Sequence, residues 1–113
     1  MPRHSLKGKG NIQATLYNGK RYFSKTLALY HDRTIPGLEN DFGVAFLLSG
    51  RAGNAVERNK IKRWLREDFR RLQGISFKSG AFVIKFKGVA DCVSHPQLSK
   101  ELEKLFNSIS VDG

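Results

Sequence analysis

Arginines and lysines crowd the stretch between Arg51 and Arg71. Eight basic residues stand there, six Arg and two Lys, against Glu57, Glu67 and Asp68. The local surplus of five is half of the chain's net charge of +10, in about a fifth of its length. A guanidinium donates two parallel hydrogen bonds to a phosphate and stacks on a base, so the chemistry on offer is the gripping of a polyanion. Arg58, Lys62, Arg66 and Arg70 recur every four residues. On a helix that spacing makes a same-sign ladder, whose members repel. A solvated face commonly mixes signs at this spacing, so RNA or DNA is expected to compensate the ladder.

Other chemistries have little to stand on. The histidines (His4, His31 and His95) are scattered, and Cys92 is the single cysteine. Neither a zinc spacing nor an internal disulfide is available, which fits a reducing compartment. No His/carboxylate pair has a motif spacing for general acid–base work, and neither a nucleophile elbow nor a P-loop is present. No catalytic residue and no metal ligand is therefore assigned to the chain. The N-terminus lacks the apolar run of a signal peptide, and runs such as Val44–Leu48 are too short to cross a bilayer. A cytoplasmic protein without a membrane or a small-molecule substrate is expected. Cys92 is expected to be a small buried or half-buried residue.

The elements that must position the basic residues follow from periodicity. At 113 residues the chain suits one domain. Residues 1–10 read as a flexible basic arm, and 11–113 as a single α+β domain. Asn11 to Tyr17 is a short helix with Ile12 and Leu16 on one face, stopped at Asn18-Gly19 by a left-handed glycine. Strand-formers at 20–30, 42–48 and 81–86 predict the sheet. Phe42 to Leu48 is apolar on both faces, which predicts a central strand. Gly53-Asn54 can cap a helix from about Ala55 to Leu72, ended by Gly74. On it Ile61, Leu65, Phe69 and Leu72 share one arc with Trp64 at its edge, while Asn59, Lys62, Arg63, Arg66 and Arg70 share the opposite arc. Ser94-His95-Pro96 opens a last helix with a core stripe at Leu98, Leu102, Leu105, Phe106 and Ile109. The order α-β-β-β-α-β-α predicts a four-stranded sheet with helices on one face.

The run Gly53-Asn54-Ala55-Val56-Glu57-Arg58-Asn59-Lys60-Ile61-Lys62-Arg63-Trp64-Leu65-Arg66-Glu67 resembles the RNR signature of bacterial ribonuclease P protein subunits. That signature reads G-N-A-V-x-R-N-x-x-K-R-x-x-R-E, and length, charge and element order agree with it. The resemblance implies a ribosomal protein S5 domain 2-like fold with a left-handed β-α-β crossover, where general rules predict a right-handed one. It implies the accessory protein subunit of a ribonucleoprotein endoribonuclease, one protein to one catalytic RNA. That complex removes the 5′ leader of precursor tRNA with Mg²⁺ held mainly by the RNA. By position, Arg51, Arg58, Asn59, Lys62, Arg63, Arg66 and Arg70 would face the catalytic RNA.

The resemblance also implies a cleft for the single-stranded leader, lined by Ile12, Leu16, Ala28, Tyr30 and Lys85. Single strands are held on aromatic platforms in basic grooves. The family commonly has Phe where this chain has Ile12 and Leu16, so stacking on the helix is lost here, and Tyr17 or Tyr22 could add a ring beside Tyr30. Ile12 and Leu16 could equally be ordinary core. Two other readings compete: a non-enzymatic RNA-binding protein such as a ribosomal protein, and a DNA-binding protein with its basic helix in a major groove. The latter lacks a dimer stripe, and Asn59 is its single base-reading amide.

Overall fold

The computed structural model describes residues 5, 6 and 8–112, the last three as helix backbone. Three helices and four strands follow in the expected order: α1 (Lys9–Asn18), β1 (Lys20–Phe23), β2 (Leu27–Asp32), β3 (Phe42–Leu48), α2 (Ala55–Ile75), β4 (Gly80–Phe86) and α3 (His95–Asp112). Short 3₁₀ turns at Gly50–Ala52 and Ala90–Cys92 flank α2 and β4. The sheet order is β1-β2-β4-β3, with β3 and β4 parallel and the other neighbours antiparallel. The fold is α+β, with a mixed four-stranded sheet packed against helices. The β3–α2–β4 segment is its parallel crossover.

Helices cover both faces of this sheet, not one. Side chains alternate across a strand, so β4 sends Phe82, Ile84 and Phe86 to one face and Ala81, Val83 and Lys85 to the other. The first set joins Leu27, Leu29 and the apolar arcs of α2 and α3 in the main core. The second joins Leu6, Ile35 and the half-buried Ile12, Ala14 and Leu16 of α1 in a smaller core. Ile61, Leu65, Phe69 and Leu72 are buried on α2, and the whole Leu98–Ile109 stripe is buried on α3. The helix α2 also runs past Gly74, ending at Ile75.

Strand β3 lies at an edge, not at the centre. It is apolar on both faces because α2 covers one and the Leu6–α1 layer the other. Part of its open edge is occupied by the segment before α1, where Leu6 N–H donates to Val44 O at 3.0 Å and Ser5 bridges to Val44. Ordered chain thus begins before Asn11: Leu6 is buried, and Lys9 opens the helix. Residues 1–4 and 7 of the expected basic arm lie outside the described residues.

Gly19 stops α1 for a different reason from the expected one. Its φ is −71°, which any residue adopts. A Cβ there would lie 2.5 Å from Thr15 O and 2.9 Å from His31 O. Close approach of two backbones, not left-handed geometry, requires the glycine.

Two polar side chains, the half-buried Glu101 and the buried His31, are held by specific partners. Glu101 on α3 accepts from Ser24 Oγ at 2.6 Å, Thr26 N–H at 2.8 Å and Gln97 Nε2 at 3.1 Å, clamping the β1–β2 turn to the helix. Burial pushes its carboxyl up, but these hydrogen bonds outweigh it and hold the group below its ordinary value. His31 stacks on Phe82 at 4.4 Å and donates from Nε2 to Ser79 O at 2.8 Å. Burial holds its imidazole below the ordinary 6.5. A lowered folded value means the unfolded chain binds the extra proton first. This contribution to stability is whole above pH 6.5 and is lost as pH falls below it. Denaturant midpoints should therefore drop between pH 7.5 and 5.5, and His31→Gln should flatten that drop. A wild-type midpoint constant over the window would contradict the account.

Candidate nucleic-acid interface

Burying one arc of α2 on the sheet leaves the opposite arc outside. Asn59, Arg63 and Arg70 are exposed, while Arg58, Lys62 and Arg66 are half-buried with their stems laid on the protein. Arg66 holds its guanidinium 6.0 Å from the centre of the Phe46 ring on β3. Arg51 is exposed on the 3₁₀ turn before the helix. A Cβ on neighbouring Gly50 would lie 3.9 Å from Arg58 Nη1, so the Arg58 guanidinium reaches that same turn. The seven residues expected to face RNA thus occupy one helix arc and the turn that leads into it.

The acids in this stretch are mostly diverted from that arc. Glu57 is spent on the helix start: its Oε1 accepts from Asn54 N–H at 3.0 Å, and Asn54 Oδ1 accepts from Glu57 N–H at 2.9 Å. This capping box satisfies two of the orphan donors of α2. Its first partner, the Asn54 N–H, and a hydrogen bond with Asp91 hold the Glu57 carboxyl below its ordinary value, while the Asp91 carboxyl is pushed up. Asp68 is buried between α2 and α3, accepting from Ser99 Oγ at 2.6 Å and His95 Nε2 at 3.1 Å, with Arg71 at 3.9 Å. Glu67 is left exposed. Among the described residues, Arg51, Arg58, Lys62, Arg63, Arg66 and Arg70 make no ion pair within 4.0 Å. Lys60 lies 5.1 Å over the Trp64 ring, which stacks on His95 at 5.0 Å, so it belongs to the α2–α3 side.

The other expected set lies on the α1 face of the sheet. Ala28 and Lys85 are register partners, and Tyr30 pairs with Val83 on the same face. Ile12 and Leu16 lean on this face beside Tyr30, Ala45 and Leu47. All five residues are therefore brought to one face. Ala28 is 1% exposed and can form only a floor, while Ile12 and Leu16 are half-buried in the smaller core. Tyr22 lies on the opposite face, packed against the main core, so it cannot add a ring here. Phe23 is the ring that does. It pairs with Ala28 and meets Tyr30 edge-on at 6.4 Å. Lys87 Nζ lies 5.2 Å from its ring centre. Neither Phe23 nor Lys87 was expected; the signal that finds them is hairpin register, which decides which of two adjacent aromatics faces α1.

Two hollows join these surfaces around the β3 edge. A cavity of about 300 Å³ reaches from Ile12 and Ala45 past Phe46 to Lys62, Arg66 and Arg70. A wider groove of about 810 Å³ lies at the C-terminal ends of β3 and β4, with Arg51, Lys62, Lys85 and Lys87 in its walls. Among the described residues no three His, Cys, Asp or Glu side chains come together as a metal site. None of the described helices is long and apolar enough to cross a membrane. Cys92 is exposed on its 3₁₀ turn, contrary to the buried or half-buried position expected for it.

Comparison with known proteins decides the family. A sequence profile for ribonuclease P matches residues 1–110. The chain belongs to the ribonuclease P protein family. A ribonuclease P protein component from an Exiguobacterium species is 26% identical over 108 residues, covering 96% of this chain and 91% of that one. A second, from Citrifermentans bemidjiense, is 38% identical over 66 residues, 58% of this chain and 56% of its own. In fold, the chain is similar to the ribonuclease P protein of Staphylococcus aureus, with a TM-score of 0.78, 22% identity and 96% of both chains covered. The Thermotoga maritima protein gives 0.76 and 22%, covering 91% of this chain and 94% of that one.

The start of α2 is the weak point of this interface. Gly53, next to the cap, has φ +147°, and a Cβ there would lie 2.6 Å from Glu57 Oε1. Gly53→Ala should strain the backbone and open the capping box. We expect a loss of about 1–3 kcal/mol in denaturant unfolding. An unchanged midpoint would show that the cap does not set the helix start.

Proposed function

We propose that this chain is the protein subunit of a ribonuclease P in which the outward arc of α2 grips the catalytic RNA. The α1 face of the sheet takes the 5′ leader of precursor tRNA. The observation that carries this reading is the same-sign arc of Arg58, Lys62, Arg66 and Arg70, free of ion pairs among the described residues. Such an arc is self-repelling in the free protein and is relieved by phosphates.

Bond cleavage in this reading belongs to the RNA, whose Mg²⁺ ions supply the Lewis-acid and water-activating chemistry. The chain's own residues bind and orient. Arg51, Arg58, Arg63 and Arg66 neutralise phosphates that Mg²⁺ would otherwise have to screen. Asn59 offers a neutral amide within the arc. Lys62 lies in the walls of both hollows and Lys85 in the wider groove, so a strand leaving the α1 face has cations along its way to α2. Two of the three carboxylates near the arc are engaged elsewhere, Glu57 in the cap and Asp68 between helices, and Glu67 is the exposed one. They fit an arrangement in which the metal is held by RNA. One protein to one RNA in the cytoplasm completes the proposal.

Two outcomes are expected. The protein alone leaves precursor tRNA intact but raises cleavage by its cognate catalytic RNA at low Mg²⁺; no stimulation by folded protein would refute the reading. Arg63→Ala and Arg66→Ala should each weaken catalytic-RNA binding and reduce the salt slope by about one unit. An unchanged slope would place those side chains away from phosphates.

A further inference from the structure

The α1 residues that lean on the sheet bring no ring to the leader cleft, and Tyr17, the exposed ring of α1, is not among the residues packed on that face. Ile12 and Leu16 are aliphatic and packed into the smaller core, and Ala28 is covered. An exposed ring does stand beside Ala28: Phe23, 59% exposed at the end of β1. A lone exposed Phe needs no explanation. This one is held: Tyr30 meets it edge-on at 6.4 Å with planes 82° apart, and Lys87 Nζ stands 5.2 Å from the ring centre. Its register partner Ala28 puts it on the sheet face that α1 and Lys85 share. Backbone hydrogen bonds fix the two ends of this cluster. Ser24 N–H donates to Leu27 O at 2.9 Å, closing the hairpin, and Lys87 N–H donates to Thr26 O at 2.7 Å. Glu101 clamps the same turn from behind. The ring is therefore presented on a rigid hairpin, not on a mobile loop.

We propose that Phe23 is a base-stacking residue for the single-stranded leader, with Lys87 contacting the adjoining phosphate. The proposal rests on the function inferred above and deepens it. An exposed ring beside a cation matches one nucleotide, the base on the ring and the phosphate on the ammonium. The four-carbon stem of Lys87 lets its ammonium leave the ring for the phosphate when a base arrives. Stacking of this kind tolerates any base, so the leader contact would favour an unpaired nucleotide over a particular letter. In this chain the stacking platform thus lies on the β1–β2 hairpin beside Tyr30, while α1 provides an aliphatic wall.

The test uses the holoenzyme reconstituted with the cognate catalytic RNA, and compares binding of precursor tRNA with that of mature tRNA. Phe23→Ala should weaken precursor binding roughly 5- to 150-fold, the range for one lost base stack. Mature tRNA binding should not change. Phe23→Trp should retain the affinity, and Phe23→Leu, which keeps apolar packing without a π-face, should not. Removing the base from the contacted leader nucleotide should weaken the wild type and add nothing to Phe23→Ala. Equal losses on both tRNAs, full affinity with Leu, or no loss with Ala would each overturn the proposal. If the Ala variant does not fold, the Trp and Leu variants decide between stacking and packing. A wild-type protein that gives no stimulation at all would instead refute the ribonuclease P assignment, and the proposal with it.

Discussion

Phe69 of α2 and Phe82 of β4 meet at 4.9 Å, and the placement of the basic arc follows from that contact. Phe82 also stacks on His31 and Phe106 and meets Phe42, so one ring joins the sheet to both large helices. An α-helix turns about 100° per residue, so fixing Phe69 inward fixes every other side chain on α2. Ile61, Leu65 and Leu72 follow it into the core. Asn59, Lys62, Arg63, Arg66 and Arg70 have no choice but the outside.

The helix start has the same logic. The parallel β3–α2–β4 crossover must leave the end of β3 and enter a 21-residue helix within a few residues. Gly53 makes the turn, Asn54 and Glu57 close the cap, and Arg51 is carried alongside. Cap and charge cooperate here. Glu57 serves the N-terminal amides, where the helix dipole favours an anion. Asp68 is drawn between α2 and α3 by Ser99 and His95. The sequence carries three acids in this stretch, but two are used to build the helix and its packing. The surface is consequently more uniformly basic than the residue count suggests.

The long amphipathic elements could be read directly, because a 3.6-residue period over five turns leaves little freedom. α2, α3 and their buried arcs agree with that reading. Misreadings arose where the answer lies in tertiary contacts. β3 is apolar on both faces, which suggests a central strand, yet it is an edge whose second face is covered by Leu6 and α1. Gly19 looks like a left-handed stop, yet it is needed for its closeness to Thr15 and His31. Tyr22 and Phe23 are adjacent aromatics, and only the pairing of Phe23 with Ala28 assigns them to opposite faces. The outward placement of the basic arc was therefore legible to the residue, whereas which rings share the α1 face of the sheet was hidden in hairpin register.

The central claim is that the outward arc of α2 is the surface that meets the catalytic RNA. Site-specific photo-crosslinking tests it most directly, with a photoreactive residue placed in turn at Lys62 on that arc and at Lys104, exposed on α3. In the assembled complex, position 62 should crosslink to the catalytic RNA and position 104 should not. Crosslinks from 104 and none from 62 would contradict the account.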